Sequence, residues 1–176
     1  MDAKHISNSK ETDEDKIEQA ERYKAEGNEL FRNGDFKPAI KKYHYGLLYI
    51  KGIGEKHPVT GEQHILTSEW KLRHDQMKFG CYNNLAACLM KERKWEKVIE
   101  YSNKALEVQP DNLKAWFRTA QAHFHLGNLD KALEGIKKAE KIEPTDVNVK
   151  KYHVKIEQEL RKYRDKEKAI YAGMFK

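Results

Sequence analysis

The sequence predicts an all-α protein made of stacked helix pairs, and three observations carry that prediction. Sliding the chain against itself by 34 residues aligns Tyr82 with Trp116, Ala86 with Ala120, Trp95 with Leu129, Ala105 with Ala139 and Pro110 with Pro144. A shift of 59 sets Tyr23 on Tyr82, Gly27 on Ala86, Phe36 on Trp95, Ala39 on Val98 and Gly46 on Ala105, so a further copy precedes them, followed by about 25 extra residues. A fixed period of this length marks helical hairpins that bury their apolar faces on one another. The charged fraction of 35% with an aromatic fraction of 10% gives a very polar surface yet leaves enough rings for a core.

Each element then has its own signal. Residues 1–14 read as a disordered tail and 15–176 as one domain, with the first repeat at about 20–50, an insert at 51–78, the second repeat at about 79–112 and the third at about 113–146. Within each repeat a breaker separates two helices: "RNGDF" at 32–36, "KERKW" at 91–95 and "HLGNL" at 125–129. Small residues at Gly27, Ala86 and Ala120 let paired helices approach closely, while the rings of Tyr23, Tyr82 and Trp116 fill the space beside them. Pro110 and Pro144 close the second and third repeats. The first lacks a closing Pro, and its second helix runs through "KYHYGLLYIKG" into a loop with Gly52, Gly54, Pro58 and Gly61, expected to be a mobile surface connection. Residues 64–78 extend the next helix backwards. At the end, Val149, Tyr152, Ile156, Leu160 and Tyr163 recur at threes and fours, a capping helix over 147–176 that either Thr145 or Asp146 can start. Its last residues, "YAGMFK", can pack on the body, serve as an interaction tail or fray; Met174 and Phe175 are unusually apolar for a loose end.

Several function classes find little support. No apolar run approaches a membrane span, the longest comparable stretch being "YGLLYI" at 45–50, and the N-terminus has no apolar signal core, which points to the cytoplasm. Cys81 and Cys88 lie seven residues apart on one expected helix, too far along it to bridge each other. The net charge of +6 comes with Lys and Arg interleaved among Glu and Asp, so nucleic acid is not expected but an acidic partner is. The histidines give no ligand set: His123 and His125 face different ways on one helix, and His5, His57 and His64 lie in flexible segments. No nucleophile and base pair, phosphate loop or paired acid stands out, so neither enzyme activity nor a cofactor is expected.

The repeat resembles the tetratricopeptide repeat (TPR) family over roughly residues 15–176. The third copy matches best, with Trp116, Ala120, Gly127, Ala132, Ala139 and Pro144 at consensus places; His123 departs, standing where the family has Tyr or another large apolar residue. The lengthened first hairpin, "CYNNLAACLM" and "KEKAIYAGMF" are similar to the TPR segments of large immunophilins and, more closely, to the tetratricopeptide repeat protein 9 family. The resemblance implies a right-handed superhelix whose concave wall is lined by the first helix of each pair. The isomerase domain that precedes this segment in immunophilins is absent from these residues.

That wall offers a specific constellation. "LKAWFR" sets Lys114 and Arg118 one turn apart, a like-charge pair that disfavours the helix by a few tenths of a kcal/mol, roughly. On the other first helices, Lys24 and Asn28 lie one turn apart, and Asn84 stands 34 residues before Arg118 and so on the same face of the preceding repeat. These five match the carboxylate clamp of chaperone-binding TPR domains. The resemblance implies that Lys24, Asn28 and Asn84 hold the main-chain carboxylate of a C-terminal Asp, while Lys114 and Arg118 reach its side-chain carboxylate. The implied partner is the tail of 90 or 70 kDa heat-shock chaperones ending in Glu-Glu-Val-Asp, bound by a monomeric adaptor. Phe31, one turn beyond Asn28, is either a pocket wall or packing between repeats, and Lys91 and His125 are available to acidic residues of the tail. The alternative is a TPR scaffold for a different acidic partner, or one that works through its convex side.

Overall fold

The computed structural model describes residues 11–56, 59–61, 63 and 65–174, and within them the chain forms seven α-helices and no sheet. The expected tail over 1–10, His57, Pro58, His64 and Phe175 lie outside the described residues. Helix α1 spans Asp13–Arg32, α2 Phe36–Tyr49, α3 Ser68–Lys91, α4 Trp95–Val108, α5 Leu113–His125, α6 Leu129–Ile142 and α7 Val147–Met174. They pack as the hairpins α1/α2, α3/α4 and α5/α6, with α1, α3 and α5 also touching in series and α7 closing the stack on α6.

Side-chain caps set the starts of α1, α3, α5 and α7. Thr12 accepts a bond from the Asp15 amide at 3.1 Å, and the Asp15 carboxylate accepts one from the Thr12 amide at 3.0 Å, a reciprocal box that starts α1 at Asp13. Residues 13 and 14, expected in the tail, are therefore in the first helical turn. The backward extension of α3 starts at Ser68, capped by Thr67, and not at 64. Of the two candidates before α7, Asp146 caps, accepting from the amides of Asn148 at 2.8 Å and Val149 at 2.9 Å; Thr145 bonds Glu143 instead.

The three breakers fold identically. At each, a residue with positive φ closes the first helix: Gly34 (+85°), Arg93 (+56°) and Gly127 (+77°). Paired bonds accompany it, Asp35 N to Leu30 O with Gly34 N to Phe31 O, and the same pattern at Lys94/Leu89 with Arg93/Met90 and at Asn128/His123 with Gly127/Phe124. These are Schellman turns, which satisfy the last helical carbonyls while reversing the chain.

The core follows the small-residue rule. Ala39, Val98 and Ala132, equivalent in the three repeats, are wholly buried. An added Cβ at Gly27 would lie 2.6 Å from the Tyr43 ring, which is why glycine stands there. The 51–63 connection runs over the surface with one anchor: Ile53 is buried with Ile50, Ile17, Tyr43 and Met77, whereas its other described residues except Gly54 are exposed, and beyond it Leu66 and Trp70 pack against the same cluster. Beyond Ile53, Gln63 Nε2 donates to the Gly54 carbonyl and pairs with Lys56 in a bridge. In α7, Val149, Ile156 and Leu160 are buried, but every described side chain from Arg161 on is exposed, including Tyr163, Ile170, Tyr171 and Met174. Tyr163, expected in the apolar stripe, lines an open surface hollow with the α5–α6 turn and the start of α6 and stays exposed. Among the described residues no helix is long and apolar enough to cross a membrane.

Candidate functional site

The first helices of the hairpins are stitched together by polar contacts from the expected site residues. On α1, the Lys24 stem crosses Gly80 of α3, where a Cβ would meet its Cδ at 3.2 Å. One turn on, Asn28 Oδ1 accepts two bonds, from Tyr43 Oη of α2 at 2.9 Å and from Asn84 Nδ2 of α3 at 2.8 Å. The next residue along the wall, Asn83, accepts from the Arg118 guanidinium of α5. Lys114 stands one turn before Arg118, exposed. Three separate contacts thus join the first helices, Lys24 with Gly80 and Asn28 with Asn84 between α1 and α3, and Arg118 with Asn83 between α5 and α3.

The electrostatics single out Arg118. It is half-buried, and burial pulls its pKa down, opposed by Cys88 beneath it. No carboxylate acts on it, and its one polar partner among the described residues is a neutral amide oxygen. A guanidinium stays charged throughout the physiological range, so this is a partly dehydrated cation without an anion. Such a group gains from any carboxylate that reaches it. Asn28 has its oxygen fully engaged within the protein, which fixes the amide so that Nδ2 remains the donor. Nearby thiols are inert: burial pushes Cys81 and Cys88 up to about 12, against the opposing charge of Lys24 on Cys81 and, for Cys88, with the Glu92 charge adding to it.

The three further candidates form a second tier. Phe31, Lys91 and His125 each follow one of the expected site residues (Lys24, Asn84 and Arg118) by seven positions, two turns along the same face. Phe31 is half-buried and meets Phe36 edge-on with centroids 5.5 Å apart. Lys91 is exposed in the last turn of α3. His125 lies flat on Trp95, 4.1 Å between centroids and 7° between planes, with Phe124 edge-on beside it. Burial, then Lys155 and Arg93, hold its pKa below the ordinary 6.5, so near neutrality it offers a hydrogen bond and not a charge.

Sequence reasoning missed Asn83, Tyr43 and Gly80. Asn83 had a signal in the doubled Asn of "YNN", and Gly80 in being the one glycine inside α3. Tyr43 had none, since a ring on the buried face of α2 reads simply as core. Among the described residues no group of three His, Cys, Asp or Glu side chains could hold a metal ion.

Stacked hairpins with a polar ladder along their first helices define a protein-interaction module, the TPR domain. The tetratricopeptide repeat profile matches residues 84–154, and tetratricopeptide repeat protein 9C of Xenopus tropicalis is 30% identical over 164 residues, spanning 89% of this chain and 92% of that protein. The chain belongs to the tetratricopeptide repeat family and is related to its protein 9 branch. Among solved structures, the C-terminal TPR-containing domain of a Plasmodium falciparum FK506-binding protein superposes with a TM-score of 0.78 at 26% identity, covering 88% of this chain and 96% of that one. The Hsp90 co-chaperone Cns1 of Saccharomyces cerevisiae superposes with a TM-score of 0.67 at 26% identity, covering 90% of this chain and 45% of that one. TPR domains are non-catalytic interaction modules.

Proposed function

We propose that this chain is a cytoplasmic adaptor that grips the acidic C-terminal tail of 90 or 70 kDa heat-shock chaperones, ending in Glu-Glu-Val-Asp, through Lys24, Asn28, Asn84, Lys114 and Arg118. The observation that carries the reading is Arg118: half-buried, held by Asn83, and lacking a carboxylate partner on a wall that also presents Lys24 and Lys114. A terminal Asp supplies two carboxylates to two groups of donors, Lys24, Asn28 and Asn84 for the main chain and Lys114 with Arg118 for the side chain. The likeness to a Hsp90 co-chaperone supports the same partner.

Phe31 forms a wall for the apolar residue before the Asp. Lys91 attracts the acidic residues upstream, and His125 contributes a hydrogen bond there. Charge-assisted bonds contribute about 1.5–3 kcal/mol each, but ordering the tail and dehydrating its charges offset most of their sum. A micromolar affinity, roughly 8 kcal/mol, follows.

The test is calorimetric titration with a short peptide ending in Glu-Glu-Val-Asp and with its C-terminally amidated twin. The free acid should bind at micromolar concentrations and the amide at least tenfold more weakly. Lys114→Ala and Arg118→Ala should each weaken the acid at least tenfold with unchanged helix content. Equal binding of acid and amide would point instead to a scaffold for some other acidic partner.

A further inference from the structure

A second cleft lies on the outer side of the stack, away from the polar ladder. It encloses about 520 Å³ between α2, the turn at 50–55, α3 and α4. On α3 its lining residues Lys78 and Tyr82 are two positions from Gly80 and Asn84 respectively, about 200° round the helix from the residues that meet α1. Two of its other walls are α2 and α4, the second helices of their hairpins, which carry none of the clamp residues.

The lining has two chemical halves. Its floor is apolar: Leu47, Ile50 and Ile53, with the rings of Tyr82 and Tyr101 tilted together at 6.2 Å and His44 edge-on to Tyr101 at 5.7 Å. Its rim is cationic. Lys104 is already bonded to Glu100 at 2.7 Å, and His74 to Asp75 at 2.9 Å. Lys51 and Lys78 enter no ion pair among the described residues, and neither phenol hydroxyl has a hydrogen-bond partner there. Glu55 is the lining carboxylate, so two free ammonium groups face one acid and leave room for a single negative charge.

Ligand sites of about 300–1,000 Å³ with an apolar body and a few convergent polar groups fit small molecules better than bare ions. We propose that this cleft binds a small amphiphilic organic monoanion, with its apolar or aromatic body on Ile50, Ile53, Tyr82 and Tyr101 and its acid group between Lys51 and Lys78. The insert has a role in this arrangement. Ile50 and Ile53, anchored in the core, hold Lys51 in the lining of the cleft that Lys78 also lines.

The experiment uses the whole chain and 8-anilinonaphthalene-1-sulfonate, an aromatic monoanion whose fluorescence rises on apolar burial. Saturable binding is expected, with amide shifts at Gly52, Ile53 and Tyr101 and none at Lys114 or Arg118. Uncharged 1-anilinonaphthalene should bind at least tenfold more weakly. The double variant Lys51→Gln/Lys78→Gln, both sites being outside the core, should weaken the sulfonate at least fivefold with unchanged circular dichroism. Octanoate should displace the dye, and chloride at equal ionic strength should not. The proposal fails if the variant binds as well as the parent, if the uncharged dye binds as tightly, if octanoate is no better than chloride, or if the shifts fall on the exposed end of α7. Peptide binding at the ladder should be the same with and without the dye, so either site can fail without the other.

Discussion

At the scale of single residues, Asn28 ties the proposed binding to folding. Its oxygen satisfies the hydroxyl of Tyr43, a side chain that is 1% exposed, and the amide of Asn84. Asn28→Ala should lose both and destabilise by about 1–3 kcal/mol, because a buried hydroxyl is left without a partner. Asn28→Asp separates the two roles, since a carboxylate accepts the same two bonds but repels an incoming one. Its melting temperature should stay close to the parent's while peptide affinity falls at least tenfold, read by thermal unfolding and calorimetry. Gly27→Ala should cost about 1–3 kcal/mol in urea unfolding, because the fully enclosed Tyr43 ring has nowhere to move. His123 supplies a pH dependence. Burial, then Lys131, lower its pKa from 6.5, and its Nδ1 is buried without a partner. The unfolded chain therefore takes up its proton first, so this contribution to stability is full above pH 6.5 and is lost as the pH falls through the lowered folded value. His123→Phe should flatten the stability profile across that window.

Among the elements, the Schellman turns carry a sharper lesson. Two of the three left-handed positions are glycine, but the middle one is Arg93 at φ +56°. A side chain there costs about 1 kcal/mol, so Arg93→Gly should raise the urea midpoint by a comparable stabilisation. These turns, and the hairpins they close, were legible because "RNGDF" and "HLGNL" carry glycine in a fixed register; "KERKW" was found only through the repeat. The residues proposed for the clamp were picked out by the family resemblance together with repeat register, which indicates which side chains share a wall. What periodicity could not show was where support ends. Tyr163 continues the apolar stripe of α7 but stands 56% exposed, lining an open hollow with the α5–α6 turn that no described side chain fills. The anchoring of Ile53 was equally hidden, because a lone Ile among glycines gives no pattern. Removing residues 165–176 should leave the melting temperature nearly unchanged, whereas ending the chain at Asp146 would uncover the core side of α6 and should produce aggregation.

For the whole molecule, the excess of positive charge is spread over the chain, α7 alone carrying eight Lys and Arg against four Asp and Glu, and the proposed peptide site draws on Lys24, Lys114 and Arg118. Peptide binding should weaken several-fold between about 0.05 and 0.5 M salt, because the screening length falls from about 14 Å to about 4 Å across that range. The part of the affinity left at high salt should come from Phe31 and from Arg118, whose burial shields it from the added ions. Isothermal titration of the parent and of Phe31→Ala at both salt concentrations would measure that share.

The direct contacts of α1 with α3 bypass the connection between α2 and α3 altogether. Closing a longer tether costs little, about 0.6 kcal/mol for each doubling of its length. Extra residues spliced in near Gly61, beyond the anchor at Ile53, should therefore leave the spacing of Asn28 and Asn84 untouched. The repeat array tolerates an interruption of its period because register is kept by side chains meeting across space and not by the length of backbone between them.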